Sequence, residues 1–182
     1  MQSDIRAVLK TRAAETARPP KEPEYSDAID VVRFGIGSEV YAFEAAFLSE
    51  AQRFREPTPV PYVPGYILGI LYMRGRFVSV VDLKRFLGLD ETAASPATSL
   101  LLLSDEKREF ALAVDSVLDE RKLPLETLQP LAHGFVLERR ELIRGVTEEG
   151  SVLLDAKRFL HDPSMQIHQE ITTSHQRGSY VQ

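Results

Sequence analysis

The sequence of 182 residues contains no cysteine. This absence excludes disulfide frameworks, thiolate zinc sites and cysteine nucleophiles. No apolar run approaches the ~20 residues that a membrane-spanning helix needs, and the first 20 residues lack the continuous apolar core of a signal peptide. We therefore expect a cytoplasmic protein with no direct membrane insertion.

A concentrated basic patch is also missing. The chain has 22 Lys and Arg against 27 Asp and Glu, which gives a net charge of -5 and a pI near 5.5. Binding to a phosphate backbone needs clustered Lys and Arg, whereas these basic residues are scattered. The composition therefore favours a protein that meets other proteins.

Signatures of enzyme chemistry are scarce. The four histidines are His133, His161, His168 and His175, and they have no HExxH spacing. The sequence has no serine elbow, no P-loop and no dinucleotide-binding glycine pattern. A carboxylate set of Asp82, Asp115 and Asp155 is conceivable, but helix capping explains two of the three more simply. We expect no enzyme, no cofactor and no metal.

The chain does contain stretches in which apolar and polar side chains alternate. With 43% hydrophobic residues it can bury a core, and from Ile29 onward apolar side chains recur with the period of a strand. Four hairpins are predicted, with turns at 37–38, 74–76, 105–108 and 148–150. Between the first two, an apolar segment (45–51) interrupts the strands, and a loop rich in proline follows.

One short segment occurs twice. Residues 81–87 (VDLKRFL) resemble residues 154–160 (LDAKRFL), and each follows a hairpin turn that contains glycine. In each copy an aspartate is placed to cap a short helix. Chance similarity is the alternative, because any capped core helix has this pattern. The repeat suggests two small β-barrels that share an interface.

The termini look separate from the barrels. In residues 4–17 the apolar side chains recur at helical spacing, which predicts either a docking helix or a frayed arm, and a proline-rich linker follows. The end of the chain is polar. We therefore divide the chain into an arm with its linker (1–27), a central domain (28–160) and a tail (161–182).

The central part of the chain contains an ordered set of motifs: Val60-Pro61, Pro64, Ile67, Gly69-Ile70, Arg74-Gly75, Val78 and Val80-Val81-Asp82-Leu83. In their order and spacing, these motifs together resemble those of CheW-like domain proteins. Further landmarks lie around Tyr41 and in the segment 113–117. Four positions depart from the family pattern: Tyr72-Met73 replaces Asn-Leu, Ala51 replaces a larger aliphatic residue, and Glu120 replaces an apolar one.

This resemblance implies a mainly β fold with two five-stranded barrels on a joint core, and no catalytic activity. It also implies an adaptor that binds the cytoplasmic tip of a chemoreceptor and the regulatory domain of a CheA-type histidine kinase. Carried over to this sequence, the partner-binding residues are Ala45, Leu48, Glu50, Ala51, Gly69, Arg74, Gly75 and Val117.

Arg74 is the first of these residues to consider. An arginine at a tight turn can offer a planar fork of donors to a partner carboxylate. The alternatives are a solvated turn residue and an internal salt bridge. Gly69 and Gly75 have ordinary explanations in close backbone approach and turn geometry, while Leu48 and Val117 lie in apolar stretches where burial is the default.

A second hypothesis is a small β-barrel that binds single-stranded nucleic acid. Its stacking faces would be Phe34, Tyr41, Tyr62 and Tyr72. The acidic charge balance argues against it.

Overall fold

A computed structural model describes residues 27–89, 96–131 and 139–165. The predicted N-terminal helix and linker lie outside these residues, as does the chain from residue 166. The ten strands of the described chain are β1 (Ala28–Ile36), β2 (Glu39–Glu44), β3 (Leu48–Arg53), β4 (Ile67–Met73), β5 (Arg76–Asp82), β6 (Ser99–Ser104), β7 (Glu109–Val114), β8 (Ser116–Pro124), β9 (Ile143–Val146) and β10 (Val152–Leu154). The short helices are α1 (Leu83–Phe86) and α2 (Ala156–Leu160), and single 3₁₀ turns span Ala45–Phe47, Leu125–Thr127, Arg140–Leu142 and Pro163–Met165.

The strands form two five-stranded sheets with the same internal order. Sheet A runs β8-β1-β2-β10-β9, and sheet B runs β3-β6-β7-β5-β4. In each sheet a central parallel pair, β2 with β10 or β7 with β5, joins two antiparallel hairpins. The outer strand β3 follows a hairpin of sheet A but pairs with β6 of sheet B. Conversely, the outer strand β8 follows a hairpin of sheet B but pairs with β1 of sheet A.

The largest apolar cluster belongs to both sheets. Sheet A contributes the completely buried Phe34 and Phe43, and sheet B contributes Val81, Leu103 and Leu112. The opposite face of each sheet curls around a smaller apolar cluster of its own. The two halves are therefore layers around one joint core, as the sequence predicts.

Neither sheet closes into a complete barrel. In sheet B the gap between the outer strands is spanned by one bridge, in which Thr58 and Ile70 exchange two hydrogen bonds of 2.9 Å. Sheet A has the equivalent bridge between Gln129 and Val146, also with two bonds of 2.9 Å. The predicted barrels are thus open, curled sheets that are each pinned at one point.

The predicted repeat is a real structural unit. Asp82 caps α1 by accepting a hydrogen bond from the backbone N–H of Arg85 at 3.1 Å, and Asp155 caps α2 through Arg158 at 2.9 Å. The backbone N–H of each aspartate also donates a 2.7 Å hydrogen bond to a carbonyl oxygen earlier in the chain, that of Tyr66 for Asp82 and that of Leu142 for Asp155. The same capped turn therefore follows the β4–β5 hairpin of sheet B and the β9–β10 hairpin of sheet A.

Aromatic rings join the two repeats. Phe86 of α1 meets Phe159 of α2 edge to face, with ring centroids 4.9 Å apart. The Phe159 ring also contacts the Phe43 ring, with centroids 5.7 Å apart, and the Phe86 ring contacts the Tyr66 ring, with centroids 5.1 Å apart. The guanidinium carbon of Arg139 lies 4.0 Å from the centre of the Phe86 ring, which is a cation–π contact.

Replacing Phe86 with alanine should destabilise the protein by about 3–5 kcal/mol, because it empties a buried ring site at the junction of the sheets. The measurement is the free energy of unfolding by denaturant. Phe77→Ala is the matched control: that ring is 71% exposed, so its loss should stay below about 1 kcal/mol. Similar losses for the two variants would contradict the proposed role of the junction.

Candidate functional site

The turn between β4 and β5 has two residues in the left-handed region. Arg74 has φ +50° and Gly75 has φ +83°, and Met73 pairs directly with Arg76. These values are typical of a type I′ hairpin turn, for which glycine is well suited at the second position. A non-glycine residue such as Arg74 is strained there, at a cost on the order of 1 kcal/mol.

The Arg74 side chain crosses from this turn to strand β3. Its Nη2 lies 2.8 Å from Glu50 Oε2, and it donates a 3.4 Å hydrogen bond to the carbonyl oxygen of Ser49. Ser49 is the extra residue of a β-bulge, since Leu48 pairs with Leu103 while Glu50 pairs with Leu102. Bulges re-aim side chains and backbone groups, and this one places Ser49 and Glu50 towards the turn.

Glu50 is held from its other side as well. Its Oε1 accepts a hydrogen bond from Gln52 Nε2, and Gln52 Oε1 accepts one of 3.1 Å from Arg55 Nη2. The corner of sheet B is thus a chain of polar contacts from Arg55 through Gln52 and Glu50 to Arg74. The side chains of Arg74 and Glu50 are 46% and 31% exposed, so this corner is open to a partner.

The other predicted partner-binding residues are spread around the junction of the sheets. Ala45 lies in the 3₁₀ turn before β3, and Ala51 is exposed on β3. Leu48 and Val117 are partly buried and pack against the shared core. The structure brings Arg74 and Glu50 into direct contact, while Leu48 and Val117 form the edges of the core on β3 and β8.

Gly69 lies away from this corner, about 16 Å along β4 from Arg74 at the usual rise of a strand. It is buried and has φ +145°, and a Cβ built on it would come within 2.2 Å of the Thr58 carbonyl oxygen. Gly75, in contrast, has open space around it. Gly69 thus permits the bridge that pins sheet B, and Gly75 permits the turn.

Sheet A has a counterpart of this corner. Leu118 is the extra residue of an equivalent bulge, since Val117 pairs with Phe34 while Asp119 pairs with Arg33. Asp119 therefore stands in sheet A where Glu50 stands in sheet B. Glu149, in the turn between β9 and β10, takes the place of Arg74, so the hairpin tips carry opposite charges.

Four side chains form the network of that second corner. Arg33 binds both oxygens of Asp119 at 2.7 Å, and Arg121 binds Asp119 at 3.0 Å and Glu149 at 2.8 Å. Hydrogen bonds from Arg33 and then from Arg121 hold the pKa of Asp119 well below its ordinary value. The same bond to Asp119 raises the pKa of Arg33, as expected for a bidentate pair.

Sequence reasoning missed an exposed aromatic pair on the Arg74 hairpin. Tyr72 and Phe77 are 64% and 71% exposed, and their rings meet edge to face with centroids 5.3 Å apart. The signal was available, because a two-residue turn at 74–75 places residues 72 and 77 opposite each other. Of the two departures from the family motif here, Met73 is buried, whereas Tyr72 alters the surface.

The match to a family model decides the family. The model of the CheW-like domain matches residues 30–164, which include strands of both sheets and both corners. The chain belongs to the CheW-like domain family. This family consists of non-enzymatic scaffold proteins, which confirms the prediction that the chain is not an enzyme.

Several CheW-like relatives cover most of the chain. It is 23% identical over 145 residues to the chemotaxis protein CheW of Klebsiella aerogenes, covering 78% of this chain and 87% of that one. It is 28% identical over 140 residues to the protein FrzA of Myxococcus xanthus, covering 77% and 83%. The crystal structure of the scaffolding protein TtCheW from Thermoanaerobacter tengcongensis superposes with a TM-score of 0.62 at 19% identity, covering 70% and 89%. The last comparison confirms the fold.

Nothing in these comparisons supports the nucleic-acid hypothesis. Two of its four stacking residues, Phe34 and Tyr41, are completely buried in the shared core. Tyr62 is fully exposed and Tyr72 largely so, but they belong to a loop and a hairpin of an acidic protein.

The helices of the described ranges are all too short or too polar to span a membrane.

Gly69→Ala should destabilise the protein by about 2 kcal/mol or more, since the added methyl group meets the Thr58 backbone and the residue keeps a positive φ. Thermal and denaturant unfolding would measure the loss. Gly65→Ala is the control, because nothing lies within 4 Å of its Cβ position. Normal stability with weakened partner binding would instead make Gly69 a contact residue.

Asp119→Asn should lower the melting temperature at neutral pH more than in acid. The pKa of Asp119 is lower in the folded state than in the unfolded state, so its contribution is present above about pH 4 and fades as the pH falls below that value. Melting curves between about pH 7 and pH 2.5 would test this. Asp30→Asn, which removes one exposed ion pair with Lys122, is the control and should lower the melting temperature less at neutral pH. A constant difference from wild type at every pH would refute the prediction.

Proposed function

We propose that this protein is a cytoplasmic adaptor that couples chemoreceptors to a CheA-type histidine kinase. The observation that carries the proposal is the match of the CheW-like domain model over residues 30–164. An adaptor of this kind needs no chemistry of its own. It acts by holding two partners together, which raises their effective concentration for each other.

The repeated architecture supports two docking surfaces on one rigid body. The shared aromatic core fixes the sheets to each other, so partners bound to different halves keep a defined geometry. We assign one surface to the cytoplasmic tip of a chemoreceptor and the other to the regulatory domain of the kinase. Recruitment to receptor arrays would follow from the first contact.

The receptor surface proposed here is the corner of sheet B with its flank along β3 and β8. It comprises Ala45, Leu48, Glu50, Ala51, Arg74, Gly75 and Val117. Gly69, also predicted from the resemblance, lies outside the corner and contributes indirectly, by permitting the bridge that pins sheet B. Arg74 contacts Glu50 and Ser49 through Nη2, and its Nε and Nη1 donate no hydrogen bond to the described residues. These groups remain available to a carboxylate or carbonyl oxygen of the receptor.

The aromatic pair extends this surface on the outer side of the hairpin. Tyr72 and Phe77 flank the Arg74–Gly75 turn and leave most of their ring area exposed. Tyrosine and arginine are enriched among the residues that dominate binding energies at protein interfaces. A surface that joins both types favours protein docking.

Arg74→Glu should weaken binding to a chemoreceptor tip fragment by at least about tenfold, because it places a carboxylate beside Glu50 and removes the guanidinium. Isothermal titration calorimetry would measure the affinity. The thermal melt should change little, since an exposed ion pair contributes at most about 1 kcal/mol. Arg76→Glu makes the same charge change two residues away in the same hairpin and should have a smaller effect. A collapse of folding in Arg74→Glu would show that the arginine is structural.

The adaptor assignment itself is tested by mixing the purified protein with a CheA-type regulatory domain and with a receptor tip fragment. We expect both binary complexes and a ternary complex in analytical ultracentrifugation. No complex with the kinase domain at tens of micromolar would count against the proposal. A salt-sensitive shift with oligonucleotides would favour the nucleic-acid hypothesis instead.

A further inference from the structure

Gln52 is the half-buried polar residue at the centre of the sheet B corner. It pairs with Leu100 across β3 and β6. Since side chains alternate along a strand, Gln52 and Glu50 project from the same face of β3. Their side chains consequently meet beside the strand, where Gln52 contacts the same Glu50 carboxylate that binds Arg74.

The two ends of the Gln52 amide have different neighbours. Nε2 donates to Glu50 Oε1, and Oε1 accepts from Arg55 Nη2 at 3.1 Å. A flipped amide would lose both bonds, because its oxygen would face a carboxylate and its NH₂ group a guanidinium. This arrangement occupies one oxygen of Glu50 and leaves the other for Arg74 at 2.8 Å.

Sheet A carries the same arrangement with another residue type. Arg121 lies two residues after the bulge acid Asp119, as Gln52 lies two residues after Glu50. Arg121 binds Asp119 at 3.0 Å and reaches the opposite hairpin tip at Glu149, 2.8 Å away. Gln52 therefore holds Glu50, and Arg121 holds Asp119, beside the tip of the neighbouring hairpin.

We propose that Gln52 is a positioning residue for the partner site: it fixes the carboxylate of Glu50 and, through it, the orientation of Arg74. The inference rests on the proposed function, in which Arg74 contacts the chemoreceptor. A side chain that is already ordered in the free protein loses less conformational entropy on binding. Gln52 thus contributes to affinity without touching the partner.

The first test is Gln52→Met, which keeps the length of the side chain and removes the amide. We expect binding to the receptor tip fragment to weaken about three- to tenfold, the cost of ordering one flexible side chain on binding, with a melting temperature lowered by no more than about 4 °C. Gln129→Met makes the same substitution on sheet A, and binding should stay at the wild-type level.

A double-mutant cycle separates positioning from direct contact. In an Arg74→Ala background, Gln52→Met should change the affinity by less than about 1.5-fold, because the group that it orients is absent. If the two substitutions instead weaken binding independently, Gln52 touches the partner or acts elsewhere, and the inference is overturned.

A measurement on the free protein keeps this inference distinct from the proposed function. In ¹⁵N relaxation of the arginine Nε–H groups, Arg74 should be ordered in the wild type and clearly more mobile in Gln52→Met, while Arg33 should be the same in both. Unchanged order at Arg74 overturns the positioning role even if the receptor binds. Loss of order at Arg74 in a protein that binds no receptor tip upholds the positioning role and refutes the proposed function.

Discussion

The edge-to-face packing of Phe86 against Phe159 is the contact on which the relation of the two halves depends. Each ring lies four residues after an aspartate that caps its helix. The caps fix where α1 and α2 begin and therefore where the rings point. Because the rings also contact Phe43 and Tyr66, the two sheets are layers of one core. This core would hold the proposed docking surfaces at a fixed separation.

Much of this fold could be predicted because its signals are local. The hairpins at 37–38, 74–76, 105–108 and 148–150 have turn residues and alternation within a few positions, and the structure contains all four. The strands β3 and β8 were harder to predict. The segment 45–51 was expected to interrupt the strands, yet its second half starts β3. Both strands are outer strands with many exposed residues, and each pairs with a hairpin distant in sequence.

The candidate site was predictable in part for the same reason. Arg74 and Gly75 stand in a recognisable turn, but the partner of Arg74 lies 24 positions earlier on an outer strand and is presented by a bulge. No spacing in the sequence indicates which carboxylate a bulge will re-aim. The two sheets share backbone features, a bulge in the outer strand and a pinning bridge, while the charges at their corners differ. Backbone geometry is therefore retained between the halves where side-chain chemistry is not.

The crossing of β3 and β8 has a consequence for how the chain folds as it leaves the ribosome. Sheet B is one continuous stretch from β3 to β7, so all its strands are available once residue 114 has emerged. In sheet A, β1 and β2 cannot complete their pairing until β8, β9 and β10 have been synthesised, and β10 ends at Leu154. Contacts of such long sequence separation form slowly, and the β1–β2 hairpin keeps an apolar face uncovered until residue 154 has been synthesised.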